Sequence, residues 1–125
     1  MLIPIMVIGG LSICIPATIY AKTSSFWYEM GVAVYGSTKY NLSKAYTYIY
    51  STANTYRRSD GRLTNPKLNY KLQMGKYSKT APANGTQMNI NCGRINAGTY
   101  TINLFVTNTG YRYEKYVKGS GRIVQ

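Results

Sequence analysis

Three carboxylates, two cysteines and no histidine are all that this 125-residue chain offers for acid–base, metal or nucleophilic chemistry. Glu29, Asp60 and Glu114 fall in a candidate first strand, a turn and a final hairpin, so no catalytic pair is expected from them. Cys92 has no imidazole to activate it and sits on the apolar phase of its segment, which reads as a buried thiol rather than a nucleophile. No spacing of His, Cys, Asp or Glu suits a metal, and no glycine-rich loop suits a nucleotide phosphate. The sequence therefore points away from an enzyme, and it calls for neither cofactor nor metal.

Recognition chemistry is better supplied. Fifteen Lys and Arg against three acids give a formal charge of +12, and ordinary surfaces mix both signs. Arg57, Arg58, Arg62, Lys67 and Lys71 form one basic group, opposed locally by Asp60 alone. Such a group attracts phosphodiesters, teichoic acids or anionic lipid headgroups, with strong dependence on salt. The chain also holds 14 tyrosines. Tyr46, Tyr48 and Tyr50 share one face of a strand, with neighbouring rings roughly 6.6 Å apart. An exposed row of this kind would stack on sugars or bases. The other reading is that these rings are the core face, the commoner use of strand tyrosines, since the opposite Ala45, Thr47 and Ile49 face is weakly apolar. Trp27 is expected in the core as well.

The elements that must position these groups read as strands. Residues 1–21 carry no charged side chain and end on the small residue Ala21 after Pro16, which fits a helical signal peptide cleaved there; an uncleaved anchor is the alternative. Cleavage removes Cys14 and leaves Cys92 as the single thiol, so residues 22–125 must fold without an internal disulfide. Segments 26–35 and 45–50 have strand alternation, and 57–66 contains the turn signals Asp60-Gly61 and Asn65-Pro66. Leu68, Tyr70, Leu72 and Met74 alternate with Lys67, Asn69, Lys71 and Gln73, a half-buried strand with a basic outer face. Met88, Ile90 and Cys92 mark another strand. Tyr100, Ile102, Leu104 and Val106 mark a further one, after which Asn108-Thr-Gly110 turns the chain into 111–118 as a terminal hairpin. Around Ile95-Asn-Ala-Gly-Thr-Tyr100 the spacing matches the tyrosine corner of immunoglobulin-like sandwiches, in which a tyrosine hydroxyl bonds back to nearby backbone. The expectation is an all-β chain: one antiparallel β-sandwich of immunoglobulin-like architecture over 22–125, after the leader helix.

Trp27, Gly31, Ser37, Tyr40, Lys44, Tyr46, Ile49, Arg58-Ser59 and Gly75-Lys-Tyr-Ser-Lys-Thr80 together resemble the lactococcin 972 family of secreted bacteriocins over about residues 27–80. The resemblance implies a small exported β-sandwich that interferes with the envelope of competing bacteria without turnover. The family's histidines are missing here, and 81–125 extends beyond the resemblance. The function expected is an exported cationic protein that binds an anionic cell-wall polymer, glycan or lipid headgroup, with bacteriocin-like antagonism as its sharper form. A structural cell-surface module held to its own wall is the rival. Nucleic acid is disfavoured as a partner, because the leader directs the chain out of the cell and no RNA- or DNA-binding signature occurs.

Overall fold

The computed structural model describes residues 22–108 and 114–125. The expected leader helix and signal peptide at 1–21 lie outside the described residues. Those described contain ten strands and no helix: β1 (Thr23–Met30), β2 (Ala33–Tyr35), β3 (Tyr40–Leu42), β4 (Tyr46–Arg57), β5 (Asn69–Met74), β6 (Tyr77–Pro82), β7 (Met88–Arg94), β8 (Gly98–Tyr100), β9 (Asn103–Val106) and β10 (Lys115–Val124). All pairings are antiparallel. One sheet runs β1-β10-β4-β7, a second runs β2-β9-β5-β6, and β3 pairs with β8 as a small ribbon. The all-β sandwich read from the sequence is the architecture observed.

The alternating segments make the strands they should. Leu68, Tyr70, Leu72 and Met74 are fully buried, and Ile90 and Cys92 on β7 and Leu104 and Val106 on β9 are buried. Burying one large aliphatic side chain is worth roughly 1.5–3 kcal/mol, so these two-residue repeats fix which face of each sheet turns inward. The predicted tyrosine corner forms too: the Tyr100 hydroxyl donates to the Asn96 carbonyl at 2.6 Å, above the buried Ile95.

Four expectations are corrected. Segment 26–35 is two strands in two different sheets, because the chain bends at Gly31-Val32 and passes from one layer to the other. Segment 100–106 is broken at Thr101-Ile102, where the Ile102 carbonyl accepts from the Gly36 N–H at 2.9 Å instead of joining a ladder. The terminal hairpin does not form: β9 belongs to the second sheet and β10 to the first, so the connection crosses between layers. Of it, residues 109–113 lie outside the described part of the chain. Finally, β4 runs seven residues beyond the 45–50 segment, to Arg57.

That long β4 carries an unusual inner face of Thr47, Ile49, Ser51, Ala53 and Thr55, all buried. Each hydroxyl is satisfied, which makes burial affordable. Thr55 Oγ1 donates to the Ala83 carbonyl and accepts from the Leu68 N–H. Ser51 Oγ lies 2.6 Å from the Tyr28 hydroxyl and 3.1 Å from that of Tyr70, so a short polar chain links the two sheets through the core. Small side chains on β4 leave room for those two rings. At the edge of the layer, Lys22 and Gln125 exchange backbone hydrogen bonds of 3.5 and 3.0 Å.

Candidate ligand-binding face

Since the small residues of β4 turn inward, its tyrosines must turn out. Tyr46 is 61% exposed, and Tyr48, Tyr50 and Tyr56 are half-buried on the same side of the strand. The core-face reading of Tyr46, Tyr48 and Tyr50 is therefore overturned. The Tyr48 and Tyr50 rings stack with centroids 6.5 Å apart and 23° between their planes.

Register then decides what accompanies them. Tyr50 lies opposite Arg122 and Thr52 opposite Ser120 on β10, while Arg122 faces Ser25 and Ser120 faces Trp27 on β1. Trp27, expected in the core, is 78% exposed on this outer face. The reason is local: Tyr28 and Met30 take the inward phase of β1, which forces Trp27 and Glu29 outward together. On the other flank, β7 contributes Asn91 opposite Tyr48 and Asn89 opposite Tyr50. A bulge at Cys92-Gly93, with Gly93 at φ 66°, adds one residue to β7. It returns Arg94 to the outer face opposite Tyr46.

The result is an outer face on which rings, cations and amides alternate. The Arg122 guanidinium sits 4.4 Å from the Tyr50 ring centre, a cation–π arrangement. A shallow depression of about 260 Å³ lies between β1, β10 and β4, where Ser25, Thr52, Gln87, Ser120 and Arg122 surround Tyr50. Farther along, Tyr56 stacks on Tyr116 at 5.4 Å and 22°. Four cations, Arg58, Arg94, Lys118 and Arg122, border the rings, and Glu29 is the single carboxylate in the same register, opposite Lys118. Exposed rings bind sugar faces, and amides, hydroxyls and guanidinium groups bind the hydroxyls and acid groups around them.

This face needs β10 to lie flat against β1 and β4. Gly119 and Gly121 supply the inward positions of β10. A Cβ at Gly119 would stand 2.7 Å from the Tyr28 hydroxyl, and one at Gly121 would stand 2.5 Å from the Phe26 ring. Glycine is required there because the Phe26 and Tyr28 rings already fill the space.

The basic group of the sequence is divided. Arg57, Arg58 and Arg62 lie in and around the turn after β4. Arg57 is tied to Asp60 by Nε and Nη2 contacts of 3.1 and 2.6 Å, which raise the guanidinium and lower the carboxyl from their usual titration ranges. Lys67, partly buried, precedes β5, and Lys71 projects beside Phe105 from the outer face of the second sheet. The five residues thus do not form one patch. Cys92 is buried and free, with its thiol pushed up to about 11 by desolvation, as its apolar phase implied. Among the described residues no group of three or more His, Cys, Asp or Glu could hold a metal.

No family model matches the chain, and no curated protein matches it. A solved structure similar to it is that of a family two carbohydrate esterase from Cellvibrio japonicus, with 7% sequence identity and a TM-score of 0.36. The likeness covers 82% of this chain and 34% of the esterase chain.

Trp27, Tyr56, Tyr116, Arg122, Asn89 and Asn91 escaped the sequence reading. Two signals were available. Glu29 shares its phase with Trp27, and a charge in an alternating strand marks the solvent side. The run Lys118-Gly-Ser-Gly-Arg122 also alternates, with glycine in the inward places where an apolar residue is usually sought.

Proposed function

We propose that the outer face of the β1-β10-β4-β7 sheet binds an anionic glycan of a bacterial envelope, and that this protein acts by recognition rather than turnover. The observation that carries the reading is the arrangement of Arg122 over Tyr50, in line with the Tyr48–Tyr50 stack and across β10 from the exposed Trp27. Large rings left in water on a sheet face give little folding benefit, and such exposed aromatics mark interaction surfaces. Net charge steers the protein toward a polyanion, and the rings supply the short-range contacts. The signal-peptide reading of residues 1–21 supports an encounter outside the cell. Antagonism of competing bacteria is the sharper form of the proposal.

The deciding experiment measures binding of the purified protein to isolated cell-wall glycan, for wild type and for Trp27→Ala and Tyr50→Ala. Loss of binding at unchanged thermal stability supports the face. Full binding by both variants rejects it. Growth inhibition of sensitive cells that disappears with the same substitutions supports antagonism, and binding without inhibition assigns a wall-associated module.

A further inference from the structure

β1 ends the first sheet, and the parity of its ladder shows what that edge leaves open. Lys22 and Gln125 exchange both backbone hydrogen bonds, so in the same register Ser24, Phe26, Tyr28 and Met30 direct their backbone groups to β10. Thr23, Ser25, Trp27 and Glu29 turn theirs the other way, where no described residue pairs with them. Beside this edge is an opening of about 330 Å³, lined by residues 25–28 and 34–38 over the buried Ile102 and Leu104.

The other edges are guarded. β6 carries Lys79 and Pro82, and the Lys79 Nζ donates to the Asn89 carbonyl at 3.0 Å, which shields β7. β2 is only three residues long. Cations, prolines and short strands are the usual protection against edge pairing. β1 has eight residues with neither lysine nor proline, and its register with β10 is unbroken.

We infer that β1 pairs antiparallel with β1 of a second copy of this chain, about a two-fold axis through Phe26. The order of side chains along the strand selects the copy. Thr23, Ser24 and Ser25 are small, while Trp27, Tyr28 and Glu29 are large. A register centred on Phe26 sets Trp27 opposite Ser25, Tyr28 opposite Ser24 and Glu29 opposite Thr23 of the copy, so each large side chain gains a small neighbour. The unpaired backbone groups of one strand then meet those of the other. Glu29 also comes to the end where the copy has Lys22, acid toward base. Centring on Trp27 instead sets Trp27 against itself and Tyr28 against Phe26, and it moves Glu29 away from Lys22. On the inner side, the half-buried Phe26 meets the Phe26 of the copy and the opening is closed.

Area agrees with a reversible dimer. An edge about 26 Å long and two layers, about 20 Å, deep offers roughly 500 Å² per copy. The pair then buries about 1,000 Å², the lower bound for a specific interface. Two four-stranded sheets become one continuous sheet with a Trp27 on each side of the axis. The pairing stands whether or not that face binds glycan.

The test is sedimentation of the purified protein from micromolar to millimolar concentration, for wild type and for Ser25→Pro. Proline at 25 removes an N–H that points away from β10, a change edge strands tolerate. Wild type is expected to dimerise more tightly in about 0.5 M than in about 0.05 M salt, because screening relieves the repulsion between two chains of +12. Ser25→Pro is expected to weaken the dimer about tenfold or more, with an unchanged circular-dichroism spectrum. A second readout needs no proline: Ser25→Cys mixed with Trp27→Cys should form a disulfide between unlike chains. Like positions stand two residues apart along the strand, so neither variant alone should link through its new cysteine. A monomer throughout the concentration range overturns the pairing, as does a folded Ser25→Pro that dimerises like wild type, or association that salt weakens. Linkage of Ser25→Cys to itself as readily as to Trp27→Cys overturns the register.

Discussion

At Trp27 the chain keeps its largest side chain in water, and the consequence for stability is small. Replacing an exposed residue away from caps and networks changes the unfolding free energy by less than about 0.5 kcal/mol, so Trp27→Ala should unfold in urea with wild-type midpoint while losing glycan affinity. Gly121 is the opposite case. A methyl group there overlaps the Phe26 ring and contacts the Tyr50 carbonyl, and forced overpacking costs about 1–3 kcal/mol; Gly121→Ala is expected to lower the urea midpoint accordingly. Cys92 makes stability depend on alkaline pH. Burial lifts its thiol from 9.0 to about 11, so the folded state keeps a proton that the unfolded state releases. Its contribution is complete below about pH 9 and is lost as pH rises toward 11. The buried Tyr28 hydroxyl, also raised by desolvation, acts in the same direction at higher pH. Urea midpoints measured from pH 7 to pH 11 should therefore fall above pH 9, and Cys92→Ala should flatten the first part of that fall.

The strands differ in how openly the sequence declares them. β5 and β7 were legible because their inward residues are apolar and their outward residues are Lys, Gln or Asn, so period and polarity agree. β4 misled, because its inner face is Thr47, Ser51, Ala53 and Thr55 and its outer face is aromatic. Hydropathy alone then reverses the two sides, and only the partners of the hydroxyls, Ala83, Leu68, Tyr28 and Tyr70, resolve them. Those partners are distant in sequence. The same limit hid the crossing from β9 to β10, since alternation identifies a strand but not the sheet it enters. At the site, the charge and the tyrosine row could be seen, while Arg122 and Trp27 joined them only through the register of β10. The Tyr28–Ser51 hydrogen bond that orders this core gives a prediction of its own: Tyr28→Phe should cost about 1 kcal/mol, read as a lower melting temperature with no loss of glycan binding.

For the molecule as a whole, the proposed recognition would divide between charge and rings. The formal +12 is spread over both sheets, with Lys71 on the side away from Trp27, so much of it acts at long range. Raising ionic strength from 0.01 to 0.15 M shortens the Debye length from about 30 to about 8 Å. Association with an anionic wall polymer should slow steeply over that interval, measured by stopped-flow or surface binding, whereas dissociation should change little because ring contacts govern it. Equal salt sensitivity of both rates would contradict this division. The clasp between Lys22 and Gln125 has a different use. Since these residues already bond to each other, a linker of a few residues would close the described fold into a ring. That ring can be opened at the Gly75-Lys76 turn, a two-residue connection between paired Met74 and Tyr77. Such a circular permutant keeps every strand pair and frees the corner beside Tyr48. Its ends then lie on the second sheet, giving an attachment point for a surface or a fluorophore on the side opposite the Trp27 and Tyr50 face.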